Sequence, residues 1–419
     1  MASTQQRRAH VIGGGLAGLA AAMALADAGW QVSVYEAGPA CGGRCRSYFD
    51  RALGVRIDNG NHLLLSGNHA AFAYLDKIGT RHTLRGPQTP VFAFVDLASS
   101  EHWVLRPSAG RIPLWLLNPR RRVPGTVLSQ YFGLLRLAWA GAAATVAGSL
   151  APTTLFRRLI GPLAISALNT PVETASAQLF FAIVRETLMA GGQATIPAFP
   201  SAGLSESFID PAIDYLTARG ATVRTQCRVS GLVLNDGRVT CLNLPDGALV
   251  VAPDDRIVLA VPPNIASALL PGIAAPDQFE SILNVHYQAE ADGGEAGFVG
   301  VVGGLAEWVF VKPGIVSVTV SAANWVIDQD GAELAARIWP EVVQAARLSA
   351  GMAMPAFRVV KERRATFAAT PAMAAQRAGV AAGPRNVALA GDWTATGLPA
   401  TIEGAIRSGM TAARHLLNT

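Results

Sequence analysis

The stretch from Ala9 to Glu36 reads AHVIGGGLAGLAAAMALADAGWQVSVYE. An apolar run leads into a glycine-rich turn, an alanine-rich segment follows, and an alternating apolar run ends at Glu36. This pattern predicts strand, turn, helix and strand in succession, which is one βαβ unit.

The turn fits the pattern G-x-G-x-x-G between a strand and a helix. Gly13 permits the tight turn, Gly15 lets the backbone approach a pyrophosphate, and Gly18 lets helix and strand pack closely. The helix N-terminus offers free N–H groups to phosphates, and Glu36 is placed to accept hydrogen bonds from ribose hydroxyls. A glycine turn kept for packing alone is the alternative for the motif in isolation.

Length and composition limit the kinds of protein that this chain can be. Its 419 residues exceed the usual size of one core, so we expect two packed domains. Hydrophobic residues make up 51% and charged residues 15%, which excludes a disordered chain and suits a protein with much buried surface or one that leans on a membrane. The net charge of +5 is too small and too scattered for a nucleic-acid partner.

Residues 127–150 come closest to the length of a membrane span, but Arg136 lies in the middle, where a charge is costly. We therefore predict a buried or interfacial amphipathic helix, within a membrane-facing helical region near residues 112–168. Arginines beside it favour contact with anionic lipid headgroups, although a solvated basic loop is equally compatible. These arginines are Arg106, Arg111, Arg120, Arg121 and Arg122.

The four cysteines, Cys41, Cys45, Cys227 and Cys241, are too few and too irregular for a disulfide framework, so we expect them to be reduced. No Cys or His grouping has zinc-ligand spacing, so no metal is expected. Residues 1–10 lack the apolar region of a signal peptide. A cytoplasmic location is expected, with peripheral contact to the inner face of the cytoplasmic membrane.

Later segments add pieces to the nucleotide-binding domain. We predict strands at 222–228, 256–261 and 387–390, a hairpin of 229–234 and 239–244, and a helix at 403–417. The fold class is α/β, with a Rossmann-like domain (1–84, 201–264 and 381–419) interleaved with an α+β substrate domain (85–200 and 265–380). Strands of the substrate domain are expected at 299–302, 308–311 and 316–320.

Two motifs indicate which dinucleotide binds. Residues 37–47, AGPACGGRCRS, resemble the G-G-R-x-x-S motif of flavin amine oxidases and phytoene desaturases. Residues 389–393 (LAGDW) and 399–409 (PATIEGAIRSG) resemble the second flavin signature of the same family. The resemblance implies FAD, with Arg44 along the pyrophosphate, Asp392 on the ribityl chain and a helix N-terminus at the flavin pyrimidine. A turn or capping role is the alternative for Asp392.

The resemblance assigns a defined set of residues to FAD. They are Gly13, Gly15, Leu16, Ala17, Gly18, Glu36, Ala37, Gly43, Arg44, Asn59, Gly60, Asn61, Val229, Gly391, Asp392, Ala400, Thr401 and Ile402.

Residues 58–67, DNGNHLLLSG, resemble the matching segment of the squalene-associated desaturase-like proteins known as hydroxysqualene dehydroxylases. The resemblance implies reductive removal of the hydroxyl from hydroxysqualene, giving squalene at the expense of reduced FAD. The electron donor is not identified. The hydroxyl is allylic, so an acid and an apolar tunnel would suffice to form a cation that a hydride quenches.

His62 is the first choice for the acid, because imidazole titrates near neutrality. A histidine held by structural hydrogen bonds is an equally good interpretation. Asn61 is a candidate for orienting the hydroxyl, and Glu403 is a second acid for which a structural role is expected. Candidate tunnel residues are Trp103, Trp115, Leu116, Phe132, Trp139, Phe180, Phe181 and Phe199.

Three alternatives stay open. An oxidative desaturase of the carotenoid type would use the same fold and a similar tunnel. An amine oxidase is disfavoured, because Trp393 is the single aromatic residue in the C-terminal signature. A non-catalytic flavin- or lipid-binding protein would keep the fold without turnover.

Overall fold

The N-terminal stretch folds as the sequence predicts. Strand β1 (Arg8–Ile12), helix α1 (Leu16–Asp27) and strand β2 (Gln31–Tyr35) follow one another, and β1 and β2 pair in parallel. The structure is a computed structural model that describes residues 7–419, so residues 1–6 of the polar N-terminus lie outside the described residues.

The remaining elements are short and numerous. After β2 the strands are β3 (Ser47–Asp50), β4 (Val55–Asp58), β5 (Leu64–Leu65), β6 (Leu84–Arg85), β7 (Phe92–Asp96), β8 (Glu101–Leu105), β9 (Pro197–Pro200), β10 (Thr222–Arg224), β11 (Gly231–Asn235), β12 (Arg238–Leu244), β13 (Gly247–Val250), β14 (Arg256–Leu259), β15 (Phe279–Tyr287), β16 (Phe298–Val302), β17 (Trp308–Lys312), β18 (Ile315–Val320), β19 (Phe357–Phe367) and β20 (Val387–Leu389). After α1 the α-helices are α2 (His69–Ile78), α3 (Leu128–Phe132), α4 (Val146–Ser149), α5 (Gly161–Leu168), α6 (Ala177–Glu186), α7 (Asp210–Thr217), α8 (Pro263–Leu269), α9 (Gly331–Ala345), α10 (Pro371–Ala375) and α11 (Ile402–Leu417).

A five-stranded parallel sheet carries the glycine turn. Its strand order is β10-β2-β1-β14-β20, so distant parts of the chain meet in one sheet. Helix α11 packs against α1 so closely that a Cβ at Gly409 would lie 2.1 Å from the carbonyl oxygen of Ala17. All five strands fall inside the segments predicted for the nucleotide domain, whose boundaries stay a prediction.

A seven-stranded sheet, in the order β19-β15-β18-β17-β16-β7-β8, forms the second part of the molecule. Its pairs are antiparallel except for β16 with β7. Helix α9 covers one face, where Val318, Ile338 and Val342 are buried together. The other face presents Trp308 and Phe310 to a different cluster. The three strands predicted for the substrate domain are confirmed as β16, β17 and β18.

The strand predicted at 222–228 ends early, at Arg224. Gln226 adopts a φ of 52°, and the N–H of Cys227 donates to the carbonyl of Glu36, which turns the chain away from the sheet. The predicted hairpin begins at Gly231 and gains a third strand, β13. The four cysteines are free, as predicted.

The single helix predicted over 127–150 is wrong. The segment consists of α3, a 3₁₀ helix (Gly133–Trp139), a turn and α4. The chain leaves helical geometry at Ala140, whose ψ is 127°, and Gly141 follows as a poor helix former. Thr145 then caps a new helix by accepting from the N–H of Gly148 at 3.1 Å. Within residues 7–419, no helix has both the length and the apolar character that a membrane span requires.

Candidate functional site

One cavity of about 1120 Å³ joins the two parts of the molecule. At one end it is lined by the glycine turn after β1 and by the segment that follows β20. At the other end it is lined by the face of the seven-stranded sheet opposite α9 and by the segments between β8 and β9. The apolar end includes Phe92, Phe94, Trp115, Leu159, Phe180 and Phe310.

The cavity brings together the residues that the sequence singled out. Every residue predicted to bind FAD lines it except Gly18, and so do His62 and Glu403. Gly18 has the packing role that was predicted for it, because a Cβ there would lie 1.9 Å from the carbonyl oxygen of Gly13. The binding and catalytic roles themselves stay predictions.

The glycine turn has the geometry of an anion site. Gly13 has a φ of 107°, and a Cβ there would meet the carbonyl oxygen of Ala260 at 2.3 Å. A Cβ at Gly15 would meet nothing within 4 Å, because that position faces the cavity. Helix α1 has no side-chain cap and no acidic residue in its first turn. Its free N–H groups and the open space at Gly15 therefore suit a diphosphate.

The carboxylate of Glu36 is held in place by the backbone. Its Oε2 accepts from the N–H of Gly14 at 2.8 Å, and its Oε1 accepts from the N–H of Gly38 at 2.7 Å. Each oxygen keeps further acceptor capacity for a ribose hydroxyl. The predicted role of Glu36 therefore fits the geometry.

Arg44 is tied to the C-terminal signature. Its guanidinium donates to the carbonyl oxygen of Ala365 at 2.6 Å and to Oδ1 of Asp392 at 2.8 Å. Burial opposes its charge, yet the carboxylates of Asp392 and Glu362 hold the pKa of Arg44 above its ordinary value. Arg44 and Asp392 therefore form a pair on the cavity wall. Their predicted contacts with the pyrophosphate and the ribityl chain stay predictions.

Arg377 was missed by sequence reasoning, and it organises the same loop. Its buried guanidinium donates to the carbonyl of Trp393 at 3.2 Å, to the carbonyls of Asp392 and Thr394, and to Oγ1 of Thr396. Burial lowers the pKa of Arg377 to about 10. Nothing in the sequence around Arg377 indicated that it would bind the loop 392–396, because it is a lone arginine in an irregular segment.

His62 lies half-buried on the cavity wall. Burial lowers its pKa to about 4, outweighing the opposing effect of Asp58. The imidazole is therefore neutral at pH 7, and the expectation that it titrates near neutrality is wrong. The choice of His62 as proton donor stays a prediction whose physical basis is weaker than the sequence suggested.

The side chain of Asn61 is hydrogen-bonded to strand β18 of the seven-stranded sheet. Its Nδ2 donates to Oγ of Ser317 at 2.8 Å and to Oγ1 of Thr319 at 3.0 Å, and its Oδ1 is buried. Thr319 in turn donates to Oδ1 of Asn284, which lines the cavity as well. These bonds fix the segment 58–62 against β18.

Glu403 is occupied by structural hydrogen bonds. Its Oε1 accepts from the N–H of Ala70 at 3.0 Å and its Oε2 accepts from the N–H of Ala71 at 2.8 Å, which caps helix α2. Arg407 donates to Oε1 of Glu403 at 2.7 Å and also binds Glu186 through two nitrogens. This geometry favours the structural role that was expected for Glu403.

Asp58 and Lys312 form an ion pair of 2.5 Å beside the site. Burial opposes ionisation of Asp58, but Lys312 and the hydroxyl of Ser47 lower its pKa below the ordinary value. Asp58 belongs to the segment 58–67 that sequence reasoning emphasised. Nothing in the sequence indicated that Lys312 pairs with Asp58, because the two residues lie 254 positions apart in the chain.

Three of the eight candidate tunnel residues line the cavity, and their contact with a substrate stays a prediction. Trp115, Leu116 and Phe180 line the cavity. Trp139 is 80% exposed and Phe132 is 61% exposed, so both lie on the outer surface instead. The remaining candidates, Trp103, Phe181 and Phe199, are not among the lining residues.

Comparison with known proteins gives a consistent family. Residues 16–291 and 311–417 match the family model described as flavin containing amine oxidoreductase. The chain is 46% identical over 410 residues to the hydroxysqualene dehydroxylase of Rhodopseudomonas palustris, covering 97% of this chain and 98% of that protein. It is 45% identical over 408 residues to the enzyme of the same name from Sinorhizobium fredii, covering 97% of each.

A probable zeta-carotene desaturase of Synechococcus elongatus is 38% identical, but over 89 residues that make up 21% of this chain and 18% of that protein. Among solved structures, an oxidoreductase from Methanosarcina mazei superposes with a TM-score of 0.73 at 15% identity, covering 97% of this chain and all of that one. That likeness shows a common fold.

Proposed function

Because the chain belongs to the family of flavin-containing amine oxidoreductases and, within it, to the hydroxysqualene dehydroxylases, we propose that it converts hydroxysqualene to squalene by reductive dehydroxylation with FAD as the flavin. The observation that carries the proposal is the cavity, which joins the glycine turn after β1 to an apolar tunnel. Nearly full-length similarity to the dehydroxylases favours this reaction over desaturation, for which the match covers about a fifth of the chain.

The end of the cavity at the glycine turn and Glu36 supports FAD rather than a flavin that lacks the adenosine part. The turn at Gly13 and Gly15, the uncapped N-terminus of α1 and the oriented carboxylate of Glu36 would hold the diphosphate and ribose. Asp392 and the start of α11 would hold the flavin end. The bound flavin would supply the hydride.

The residues that line the cavity would then protect the positive charge that forms on the substrate and supply the proton for the departing hydroxyl. Loss of an allylic hydroxyl leaves a delocalised cation, which water would trap if it reached the carbon. The apolar tunnel walls, including Phe94, Trp115 and Phe310, exclude water from the reacting carbon. A proton must reach the departing oxygen from a group on the wall.

The test is a single turnover in the absence of oxygen. Protein with reduced flavin is mixed with hydroxysqualene, flavin reoxidation is followed by absorbance, and the product is identified by mass spectrometry. We expect reoxidation together with squalene. A flavin that stays reduced with no squalene formed would refute the proposal, and oxidised protein that removes two hydrogens from a hydrocarbon would establish a desaturase instead.

The proposal includes peripheral contact with a membrane. An apolar surface, defined as Ile112, Leu114, Leu117, Phe132, Leu135 and Trp139, is exposed to between 45% and 80%. Arg111, Pro113 and Leu135 also line the cavity, so this surface adjoins an entrance to the tunnel. Exposed apolar patches of this kind mark membrane or partner contacts.

Charge around the apolar surface supports an anionic bilayer as the partner. Arg111, Arg120, Arg121 and Arg136 are exposed beside it, and each such cation contributes about 1 kcal/mol near an anionic surface. A substrate as apolar as hydroxysqualene would then pass from lipid to tunnel without crossing water.

A further inference from the structure

A small polar patch interrupts the apolar wall of the cavity. Asn169, Ser321 and Thr366 are all buried and all line the cavity. Nδ2 of Asn169 donates to Oγ1 of Thr366 at 2.9 Å, and its Oδ1 accepts from the N–H of Ala322 at 2.7 Å. The patch is therefore a fixed arrangement in which two hydroxyl groups stand beside an amide that is already satisfied.

The patch lies close to the residues predicted to hold the flavin. Ser321 follows Thr319 by two positions, so their side chains are roughly 7 Å apart along one face, and Thr319 is bonded to Asn61. On the other side, Thr366 follows Ala365, whose carbonyl accepts from Arg44 at 2.6 Å. The patch therefore lies where the tunnel meets the flavin site.

A carboxyl group stands directly behind Ser321. The N–H of Ser321 donates to Oε2 of Glu307 at 2.8 Å, which places residue 321 against this carboxyl group. Burial raises the pKa of Glu307, and hydrogen bonding by Ser321 opposes that rise. Glu307 is partly buried and is not among the cavity-lining residues, so Ser321 separates it from the tunnel. Glu341 on α9 accepts from the N–H groups of Leu305 and Ala306 and forms no bond to Glu307.

We infer that Ser321 and Thr366 bind the hydroxyl of the substrate, and that Glu307 donates the proton for its departure through the Ser321 hydroxyl. This inference rests on the proposed function. As the carbon–oxygen bond breaks, the leaving oxygen takes the proton of Ser321, and Ser321 takes the proton of Glu307. Water leaves, and Glu307 regains a proton from solvent. The hydride for the new carbon–hydrogen bond, with its two electrons, would come from a bound reduced flavin.

The acidity of the two candidate donors agrees with this arrangement. Burial raises the pKa of Glu307 to about 7, so a large fraction of it carries a proton at neutral pH. His62, with its pKa lowered to about 4 by burial, carries almost none. Brønsted behaviour favours a donor whose pKa is near the working pH.

The test compares Glu307→Gln with a matched control, Glu341→Gln. The control removes a carboxylate that binds the same loop between β16 and β17 but has no hydrogen bond to Ser321. In single turnovers of reduced protein with hydroxysqualene, the wild-type rate should fall as pH rises through about 7. Glu307→Gln should lower the rate by on the order of 100-fold and abolish that pH dependence, and Glu307→Asp should restore part of both. Ser321→Ala should resemble Glu307→Gln, and the double variant should be no slower, because both groups serve one relay.

Infrared spectroscopy tests the same idea without turnover. The carbonyl band of a protonated carboxylic acid should titrate near pH 7 in the flavin-free wild type and be absent from Glu307→Gln. A wild-type rate and pH profile in folded, flavin-loaded Glu307→Gln would overturn the relay while leaving the proposed function intact. Absence of squalene from the wild type would overturn the proposed function itself.

Discussion

Replacement of Gly18 by alanine and replacement of Gly15 by alanine should damage different properties of the protein. The first should lower its stability, and the second should lower its flavin content. A Cβ at Gly18 would lie 1.9 Å from the carbonyl oxygen of Gly13, whereas ordinary contact begins at 3.4 Å. Helix α1 and the turn after β1 would have to separate by about 1.5 Å. Because the obstacle is backbone, Gly18→Ala should cost on the order of 3 kcal/mol, which corresponds to a fall of roughly 3 °C in Tm for a chain of this length.

Gly15→Ala should behave in the opposite way. Its φ of −76° and ψ of 176° suit alanine, and nothing lies within 4 Å of the new methyl group. The flavin-free protein should keep its stability to within about 0.5 kcal/mol, but the methyl group would occupy the space in which a pyrophosphate approaches the backbone. Flavin content should therefore fall sharply.

Thermal unfolding of both flavin-free variants by circular dichroism, together with flavin content by absorbance, separates the two outcomes. If Gly15→Ala loses as much stability as Gly18→Ala, or retains a full complement of flavin, the assignment of the open side of the turn to the cofactor is refuted.

Three further predictions concern the surroundings of the site. Glu403→Gln should destabilise the fold by about 1–3 kcal/mol, because backbone donors at the start of α2 lose an acceptor, while the pH profile of squalene formation stays unchanged; a folded, flavin-bound variant without turnover would contradict the structural role. Lys312→Met should cost about 3–5 kcal/mol at neutral pH, because Asp58 is left as an unpaired buried charge. The folded pKa of Asp58 lies below the unfolded value of 3.8, so the stability that the ion pair contributes is present above pH 3.8 and is lost as the pH falls through the folded pKa. The loss of stability in Lys312→Met should therefore become smaller in thermal melts at acidic pH. A loss that does not change with pH would refute the ion-pair explanation. Ile112→Ser combined with Trp139→Ala should weaken binding to anionic vesicles by on the order of tenfold or more per side chain, with turnover of detergent-dispersed substrate unchanged; equal binding of variant and wild type would exclude the apolar surface as the contact.

The motifs whose parts lie close together in sequence were predictable. The spacing of Gly13, Gly15 and Gly18 imposes its geometry within one turn, and Glu36 follows from the length of one helix and one strand. The same holds for β16, β17 and β18, whose apolar alternation is local. Predictions of this kind need no knowledge of the rest of the chain.

Contacts between distant residues were not predictable. The pairing of Arg407 with Glu186 joins positions 221 residues apart, and that of Lys312 with Asp58 joins positions 254 residues apart. The shift in the pKa of His62 arises from burial, which a residue type alone does not reveal. The helix predicted over 127–150 failed because the chain leaves helical geometry at Ala140 and a new helix begins after Thr145.

The parallel sheet constrains the order of events during synthesis. Its central strand β1 leaves the ribosome early, but its neighbour β14 begins at Arg256 and the edge strand β20 begins at Val387. Helix α11, which packs on α1 around Gly409, comes later still. The faces of the βαβ unit that pack against β14 and α11 therefore stay incompletely covered until those later segments have been made. The flavin site is therefore complete only after the segment that follows β20, with Asp392 and Thr401, has met the βαβ unit.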